Sequence, residues 1–337
     1  MKVLVNGLGN IGTTLANLLV RYKLELEIDE IWVSKRKIHP WQEQELAILA
    51  QQGVHFCTHT KHANYPLFED VIGEMNYVFE AASNGVGNSN RLKYEQLPNL
   101  IGSCAQGSEK GFGVSFMSGV NNDAIYGQKF VHVVSCNTHG SAALLRTFSG
   151  DLLENLSKAD MVVVRRSEDL GNHERLVSAN VVARHLNELA GTHHSVDVID
   201  LFKTLNVSCD LTSSDITTPS QLMHAVRFNI ELKAPISKSH KELIDRNPLI
   251  AQTKKFDSNV VFELGRRYGF NGRIFSHAIV LSENLLITDR SMKGWAFIPQ
   301  EGNSIISTIH AYLLQTKHPN ERVLIRKLVA DLCIKEW

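Results

Sequence analysis

The sequence has no excess of either charge. Its 337 residues include 35 Lys and Arg against 35 Asp and Glu, so the formal net charge is zero. Proteins whose main partner is nucleic acid usually carry a clear basic excess, so this balance argues against that class. It leaves room for local charged patches, and a phosphorylated small molecule needs only one.

Long apolar runs are also missing. The longest are far shorter than the roughly 20 residues that a membrane-spanning helix needs. The first residues, MKVLVNGLGNIG, contain neither an apolar signal core nor a small-residue cleavage site. We therefore expect a cytoplasmic protein without a membrane partner.

Paired cysteines are absent as well. The five cysteines are odd in number and widely scattered: Cys57, Cys104, Cys136, Cys209 and Cys333. This spacing excludes a disulfide framework and a paired CxxC zinc pattern. His55, Cys57, His59 and His62 crowd one segment, but their spacing matches no standard zinc motif, and a solvated loop is favoured over a metal site.

The order of predicted elements indicates two domains, as the length also does. Strands and helices alternate in the first part, which predicts a parallel, doubly wound sheet (strands at 2–6, 28–33, 77–81 and 131–135; helices at 11–22, 41–51 and from Thr138). Further along, strands predominate around one clear helix at 238–247, which predicts a mostly antiparallel sheet (strands at 161–165, 207–216, 222–232, 259–264, 277–281 and 285–288). The tail returns to helix at 303–315 and 321–335.

A glycine-rich turn comes directly after the first predicted strand. Gly7, Gly9 and Gly12 form G-x-G-x-x-G between a strand and a helix, which is the context that a dinucleotide-binding turn requires. The first glycine allows the tight turn, the second lets the backbone approach a pyrophosphate, and the third lets helix and strand pack closely. The phosphates would lie at the helix N-terminus, where free N–H groups favour negative charge.

The end of the second strand bears on the choice of cofactor. An acidic residue there normally binds the ribose 2′-hydroxyl of NAD. Here the strand ends in Ser34, Lys35, Arg36 and Lys37, so cations replace the acid. This favours NADP, with NAD possible.

Cys136 has a distinctive setting, since VHVVSCNTHG places it between a buried strand and the first turn of a helix. The helix dipole and the free N–H groups there stabilise a thiolate, and they could also hold an oxyanion. A buried core cysteine at a strand end is the alternative.

Six ordered stretches resemble glyceraldehyde-3-phosphate dehydrogenase, in its archaeal, type II branch. They are NGLGNIG, CAQGSEKG, VHVVSCNTHG, MVVVRRSEDLGN, THHSVDV and TTPSQLMHAVRFNIEL, and they run from the N-terminal turn to about Leu232. The resemblance implies a Rossmann-type dinucleotide-binding domain at 1–137 plus 303–337, and an α+β catalytic domain at 138–302. It also implies a homotetramer.

The resemblance also assigns roles to individual residues. Cys136 corresponds to the nucleophile and His224 to the histidine that activates it and moves the proton. The implied substrate contacts are Ser135, Asn137, Arg165, His193 and His194. The implied cofactor contacts are Gly7, Gly9, Asn10, Ile11, Gly12, Ser34, Lys35, Gly107 and Arg166. No metal is implied, and the partners are a phosphorylated aldehyde and inorganic phosphate.

Three departures from the family's pattern are visible. His139 stands where the family has threonine, Lys293–Trp295 align with its cofactor-contacting Gln-Glu-Ser segment, and the stretch 171–189 lacks its prolines. Two other functions therefore stay open. One is a related semialdehyde or acyl-phosphate reductase, such as those for aspartate or N-acetylglutamate. The other is a non-catalytic NADP-binding protein.

Overall fold

A computed structural model describes residues 1–107, 109–166, 182–184, 187–236 and 238–337. The chain divides into two compact units. The first comprises Met1–Ser118, Asn122–Val133 and Ser307–Ile325, and the second comprises Gly119–Asn121, Val134–Ile306 and Arg326–Trp337. Most of the departing stretch at 171–189 lies outside the described residues.

The described residues form strands and helices in alternation. The strands are β1 (Lys2–Asn6), β2 (Glu30–Lys35), β3 (Val54–Thr58), β4 (Tyr77–Glu80), β5 (Gly102–Gln106), β6 (Val114–Phe116), β7 (Phe130–Val133), β8 (Leu156–Arg166), β9 (Val182–Arg184), β10 (Leu211–Thr218), β11 (His224–Leu232), β12 (Ile250–Thr253), β13 (Ala278–Leu281), β14 (Leu286–Thr288) and β15 (Ser291–Ile298). The helices are α1 (Asn10–Arg21), α2 (Glu43–Gln51), α3 (Phe68–Val71), α4 (Val86–Glu95), α5 (Cys136–Ser149), α6 (His193–Lys203), α7 (His240–Arg246), α8 (Ser258–Tyr268), α9 (Ile305–Gln315) and α10 (Glu321–Leu332). In the described ranges, every helix is too short or too polar to traverse a lipid bilayer.

The first unit is built on a seven-stranded parallel sheet. The strand order is β3-β2-β1-β4-β5-β7-β6. Val3, Leu4 and Val5 of β1 are completely buried, as expected for a central parallel strand covered on both faces. The order reverses between β1 and β4, and ligands of such sheets bind outside the carboxyl ends of the strands at that point. The glycine turn after β1 lies there.

Helix α9 belongs to the first unit from Ser307 onward and supplies partners to its buried polar side chains. The Tyr312 hydroxyl donates a hydrogen bond of 2.8 Å to the Leu26 carbonyl. The buried hydroxyl of Tyr77 donates to the Gln315 side chain, and the buried Gln106 amide donates to the Thr308 hydroxyl. Two of the sheet's buried polar side chains, Tyr77 and Gln106, therefore have their partners on α9.

The second unit contains a mixed sheet of eight strands. Its order is β12-β13-β15-β11-β8-β10-β9, with β14 paired to β15. Five of these seven pairings are antiparallel; β12–β13 and β8–β10 are parallel. Helix α5 packs closely on this sheet, because a Cβ at Gly140 would lie 2.3 Å from the Ile298 side chain. The predicted fold class, a parallel sheet followed by a mostly antiparallel one, is confirmed.

The predicted strand at 259–264 is wrong, since these residues belong to α8. The Asp257 carboxylate caps that helix by accepting from the backbone N–H groups of Asn259 and Val260, at 2.8 and 3.3 Å. Val261 and Gly265, four residues apart, are its buried positions. A short apolar run does not distinguish a strand from a helix, and the cap decides here.

The last residues differ from the predicted domain boundary, because Arg326–Trp337 lie in the second unit. The Lys335 ammonium donates to the carbonyl oxygens of Ile244, Asn247 and Ile250 at 3.1, 2.8 and 2.7 Å. Trp337 joins a core cluster of that unit. The sequence predicted a helix at 321–335, but nothing in it marked the edge of β12, against which Glu336 lies.

Candidate active site

The three glycines of the turn differ in their surroundings as the dinucleotide fingerprint requires. Gly7 has φ +101°, and a Cβ there would lie 2.7 Å from the Ala82 Cα. A Cβ at Gly12 would lie 1.9 Å from the Gly7 carbonyl oxygen, whereas one at Gly9 would have no atom within 4 Å. Gly7 and Gly12 are thus packed tightly against backbone atoms, whereas the space beside Gly9, at the N-terminus of α1, is open. This arrangement fits a pyrophosphate.

Four other predicted cofactor contacts lie near this turn or beside the sheet. Asn10 and Ile11 are the first residues of α1. Gly107 has φ +73° and open space at its Cβ position, and its carbonyl accepts a 2.7 Å hydrogen bond from His132. The Lys35 ammonium is 3.4 Å from the Leu8 carbonyl oxygen, within the turn itself. Burial lowers the pKa of Lys35, opposed by the charge of Glu45.

Ser34 has an interior partner. Its side chain is completely buried and its hydroxyl donates to the Asn6 side chain. Asn6 in turn donates a 2.8 Å hydrogen bond to the Glu80 carboxylate, which also accepts from Tyr94 at 2.7 Å. The hydroxyl predicted to contact a cofactor therefore belongs to a buried polar network at the ends of β1, β2 and β4.

The start of α5 places Cys136 in the first helical turn, two residues earlier than predicted. Ser135 is the N-cap: its hydroxyl accepts from the Thr138 N–H at 3.4 Å and hydrogen-bonds to the Thr138 hydroxyl at 2.9 Å. Cys136 is partly exposed. A thiol in this position feels the positive end of the helix dipole.

The other four cysteines have a different environment. Burial raises the pKa of each thiol to about 12: Cys57, Cys104, Cys209 and Cys333. Their thiolates are scarce at neutral pH, and the thiolate is the nucleophile. Cys57, Cys104 and Cys209 are core residues, and Cys333 is partly buried.

His224 lies in the second unit, as Cys136 does, and the register of the sheet sets its position. Strand β11 runs antiparallel to β8, with Ala225 opposite Val164, so its first residue lies where β8 ends. The His224 Nδ1 is 2.9 Å from the Asn137 amide oxygen, and its backbone N–H donates to the Gln300 side chain at 3.2 Å. With Nδ1–H donating to Asn137, the lone pair of the imidazole lies on Nε2.

His224 is held in its neutral form. Burial lowers its pKa well below the ordinary value, and the positive charges of Arg166 and Arg165 act in the same direction. A neutral imidazole is the form that accepts a proton. Asn137, predicted as a substrate contact, is buried and orients this histidine.

Arg166, predicted as a cofactor contact, lies in a buried ion pair. Its guanidinium is 2.7 Å from the Glu301 carboxylate and donates to the Leu222 carbonyl at 3.3 Å. Arg273 is 3.0 Å from the other carboxylate oxygen of Glu301. Glu301 itself has φ +66°, so these two arginines hold it in a conformation that L-residues rarely adopt.

The remaining predicted substrate residues gather around Asp215. The Arg165 guanidinium and the His194 Nε2 each lie 3.7 Å from Asp215 Oδ2. His194 is buried at the start of α6, whereas its neighbour His193 is exposed. Burial lowers the pKa of His194 to about 3, and the charges of His193 and Arg165 add to this effect.

His139 faces the interior. Its Nδ1–H donates to the Ser135 carbonyl at 3.0 Å, and its ring meets that of His277 edge to face, with 5.0 Å between the centroids. Asn303 connects the same region, because its amide donates to the carbonyl oxygens of Cys136 and His277 at 3.0 and 3.1 Å. It therefore ties the first residue of α5 to the start of β13.

Sequence reasoning missed Asp215, Gln300, Glu301 and Asn303. The polar run QEGNS, which follows β15, was a signal for the last three. Lys293, the aligned position in the family, lies instead in the middle of β15, opposite Asn229.

The four residues of the histidine-rich segment do not converge. Cys57 is in the core, His55 stacks on Trp32, and the His59 ring bonds to Asn6. In the parts of the chain that the structure describes, one group could hold a metal ion: His193, His194 and Asp215.

No family model matches the sequence. A Methanocaldococcus jannaschii protein named glyceraldehyde-3-phosphate dehydrogenase is 25% identical over 340 aligned positions, which cover 95% of each chain. Proteins of the same name from Saccharolobus islandicus and Metallosphaera sedula are each 28% identical, over 78% and 71% of this chain and 76% and 68% of their own.

The chain is similar over nearly its whole length to an archaeal protein named glyceraldehyde-3-phosphate dehydrogenase. The similarity to the Methanocaldococcus protein extends over both units, and so reaches well beyond the six motifs. The resemblance predicted from those motifs is confirmed.

Proposed function

We propose that the chain catalyses the phosphorylating oxidation of glyceraldehyde 3-phosphate to 1,3-bisphosphoglycerate, with Cys136 as the covalent nucleophile. The observation that carries this proposal is at the start of α5, where Cys136 is followed by Asn137, whose side chain is bonded to the buried, neutral His224. The names of the archaeal relatives support the same reaction.

The first step forms a carbon–sulfur bond. The Cys136 sulfur attacks the aldehyde carbon while His224 takes the thiol proton, and His224 then gives that proton to the carbonyl oxygen, which yields a hemithioacetal. The N-terminus of α5 stabilises negative charge first on sulfur and then on that oxygen. Asn137 keeps the basic nitrogen of His224 in the required orientation.

The second step oxidises the hemithioacetal to a thioester on Cys136. His224 accepts the hydroxyl proton as the carbonyl reforms, and a bound nicotinamide supplies the acceptor for the hydride. An oxygen of inorganic phosphate then attacks the thioester carbon, the carbon–sulfur bond breaks, and the acyl phosphate leaves. A thioester suits this last step because it keeps the energy of the oxidation available.

The substrate phosphate would be bound by Arg165, which is partly exposed and acts electrostatically on His224, and by His193, which is exposed beside His194. The cofactor would bind at the turn of Gly7, Gly9 and Gly12. Lys35 beside that turn favours the 2′-phosphate of NADP.

A phosphate-dependent assay tests the proposal. Purified protein is mixed with glyceraldehyde 3-phosphate, phosphate or arsenate, and NADP or NAD, and absorbance of the reduced cofactor is recorded over time. We expect phosphate-dependent turnover that is faster with NADP and abolished by Cys136→Ser, with Cys333→Ser as the matched control. Turnover only with aspartate or N-acetylglutamate semialdehyde would show a related reductase. Binding of NADP without turnover on any of these aldehydes would refute the catalytic role.

A further inference from the structure

The residues around Asp215 form a compact group of metal-binding side chains. One ligand atom from each of His193, His194 and Asp215 lies within 4.8 Å of the others. They come from two elements, the first turn of α6 and strand β10. Two imidazole nitrogens and a carboxylate oxygen are the donor set of many zinc and other transition-metal sites.

Two members of the group are buried without hydrogen-bond partners. Both ring nitrogens of His194 and the Oδ1 atom of Asp215 have none, although these residues are only 3% and 4% exposed. A buried polar atom without a partner costs about 1–3 kcal/mol, so such atoms point to a missing ligand. Here the orphan atoms lie together.

We infer that His193, His194 and Asp215 bind a divalent transition-metal ion, such as Zn²⁺. The buried carboxylate supplies negative charge, and two imidazoles select against Mg²⁺ and Ca²⁺, which prefer oxygen ligands. His193 is exposed, so the ion has a way in, and this ligand has room to adjust as the three close around it. Water would complete the coordination.

Arg165 opposes the ion. Its guanidinium lies 3.7 Å from Asp215 Oδ2 and is partly exposed, so its positive charge repels an ion that is held by the same carboxylate. Two cations therefore compete for Asp215. Removing the Arg165 charge should tighten metal binding, an effect that a purely structural histidine pair would not produce.

Metal binding would also compete with the proposed reaction, and this consequence alone rests on the proposed function. His193 and Arg165 are the groups proposed to hold the substrate phosphate. A bound ion should therefore raise the KM for the phosphorylated aldehyde more than it lowers kcat. The ion would act as an inhibitor of the site.

The test uses the metal alone. Chelator-treated full-length protein is titrated with Zn²⁺ by calorimetry and with Co²⁺ by visible absorption, which reports the ligand field directly. We expect one ion per chain, with affinity lowered at least about 10–100-fold by His193→Ala or Asp215→Asn, since loss of an outer-shell partner alone costs that much. Arg165→Gln should raise the affinity, and His55→Ala, which removes another exposed histidine, should leave it unchanged.

Two results would overturn the inference. One is the absence of saturable binding, and the other is a one-to-one site whose affinity neither His193→Ala nor Asp215→Asn changes. His193→Ala decides if Asp215→Asn fails to fold, because His193 is exposed. Metal binding by a protein without dehydrogenase activity would uphold the site and refute only the proposed reaction.

Discussion

The glycine turn allows stability and cofactor binding to be separated by two alanine substitutions. In Gly12→Ala the new Cβ would lie 1.9 Å from the Gly7 carbonyl oxygen, a backbone atom that cannot rotate away. Overpacking costs about 1–3 kcal/mol, and a backbone obstacle puts this site at the upper end. Alanine regains roughly 0.5–1 kcal/mol over glycine inside a helix. The net loss in the free energy of unfolding is about 2 kcal/mol.

Gly9→Ala should behave differently. The new methyl group meets no atom within 4 Å, and Gly9 is the N-cap of α1 with a φ of −97° that alanine tolerates. As an N-cap, alanine is less stabilising than glycine by about 0.5–1 kcal/mol. It also lowers the conformational entropy of the unfolded chain, which stabilises the folded state by roughly 0.4–1 kcal/mol. These terms nearly cancel, so stability should hardly change. Cofactor affinity should nevertheless fall at least about tenfold, because the methyl group occupies the pyrophosphate's approach.

Thermal unfolding of the full chain and calorimetric titration with NADP measure the two effects separately. The midpoint should fall by about 4–8 °C in Gly12→Ala, given roughly 2–4 °C per kcal/mol for a unit of this size. It should stay near that of the wild type in Gly9→Ala. The reasoning fails if Gly9→Ala lowers the midpoint as much as Gly12→Ala, or if Gly9→Ala binds NADP unchanged.

Three further predictions concern the reactivity of Cys136, the buried histidines and Asn137. Iodoacetamide at neutral pH should label Cys136 selectively, because burial raises the pKa of the other four thiols to about 12; equal labelling of Cys333 would contradict this. Burial lowers the pKa values of His194, His224 and His277 in the folded protein. At a pH below 6.5, the ordinary pKa of histidine, the unfolded chain therefore binds up to three more protons than the folded protein. Stability should be complete above that pH and fall below it by at most about 4 kcal/mol per pH unit. Denaturant midpoints between neutral and mildly acidic pH check this, and His224→Gln should reduce the slope. Asn137→Ala should lower kcat more than it raises KM, by less than the roughly 10²–10⁴-fold that a general base contributes; an unchanged kcat would remove Asn137 as the group that orients His224.

The parts of the site that were predictable depend on local sequence. The glycine turn is one such part, because backbone conformation and close approach at Gly7 and Gly12 depend on residue type within one loop. The setting of Cys136 is another, since a strand, a serine cap and a helix are adjacent along the chain. Even there the helix begins two residues earlier than expected, because Ser135 rather than a later residue supplies the cap.

The residues that were missed are brought in by strand register. Gln300 reaches His224 because β15 runs antiparallel to β11, with Ile298 opposite His224. Asp215 lies near Arg165 and His194 because β10 pairs with β8 and contacts α6. The pairing of β10 with β8 leaves no mark in the local sequence, where an acid in an alternating strand resembles a solvent-facing residue. Arg165 and Arg166 have different acidic partners, Asp215 and Glu301, and both partners depend on the fold.

The position of α9 in the first unit has a consequence for synthesis on the ribosome. All seven strands of the parallel sheet are complete once Val133 has emerged, yet Tyr77 and Gln106 find their partners only on Gln315 and Thr308. The entire second sheet is translated between these two events. The first unit therefore lacks α9, and the face that binds this helix stays exposed, until the second sheet has been synthesised. During this interval its exposed surface is a natural substrate for chaperones.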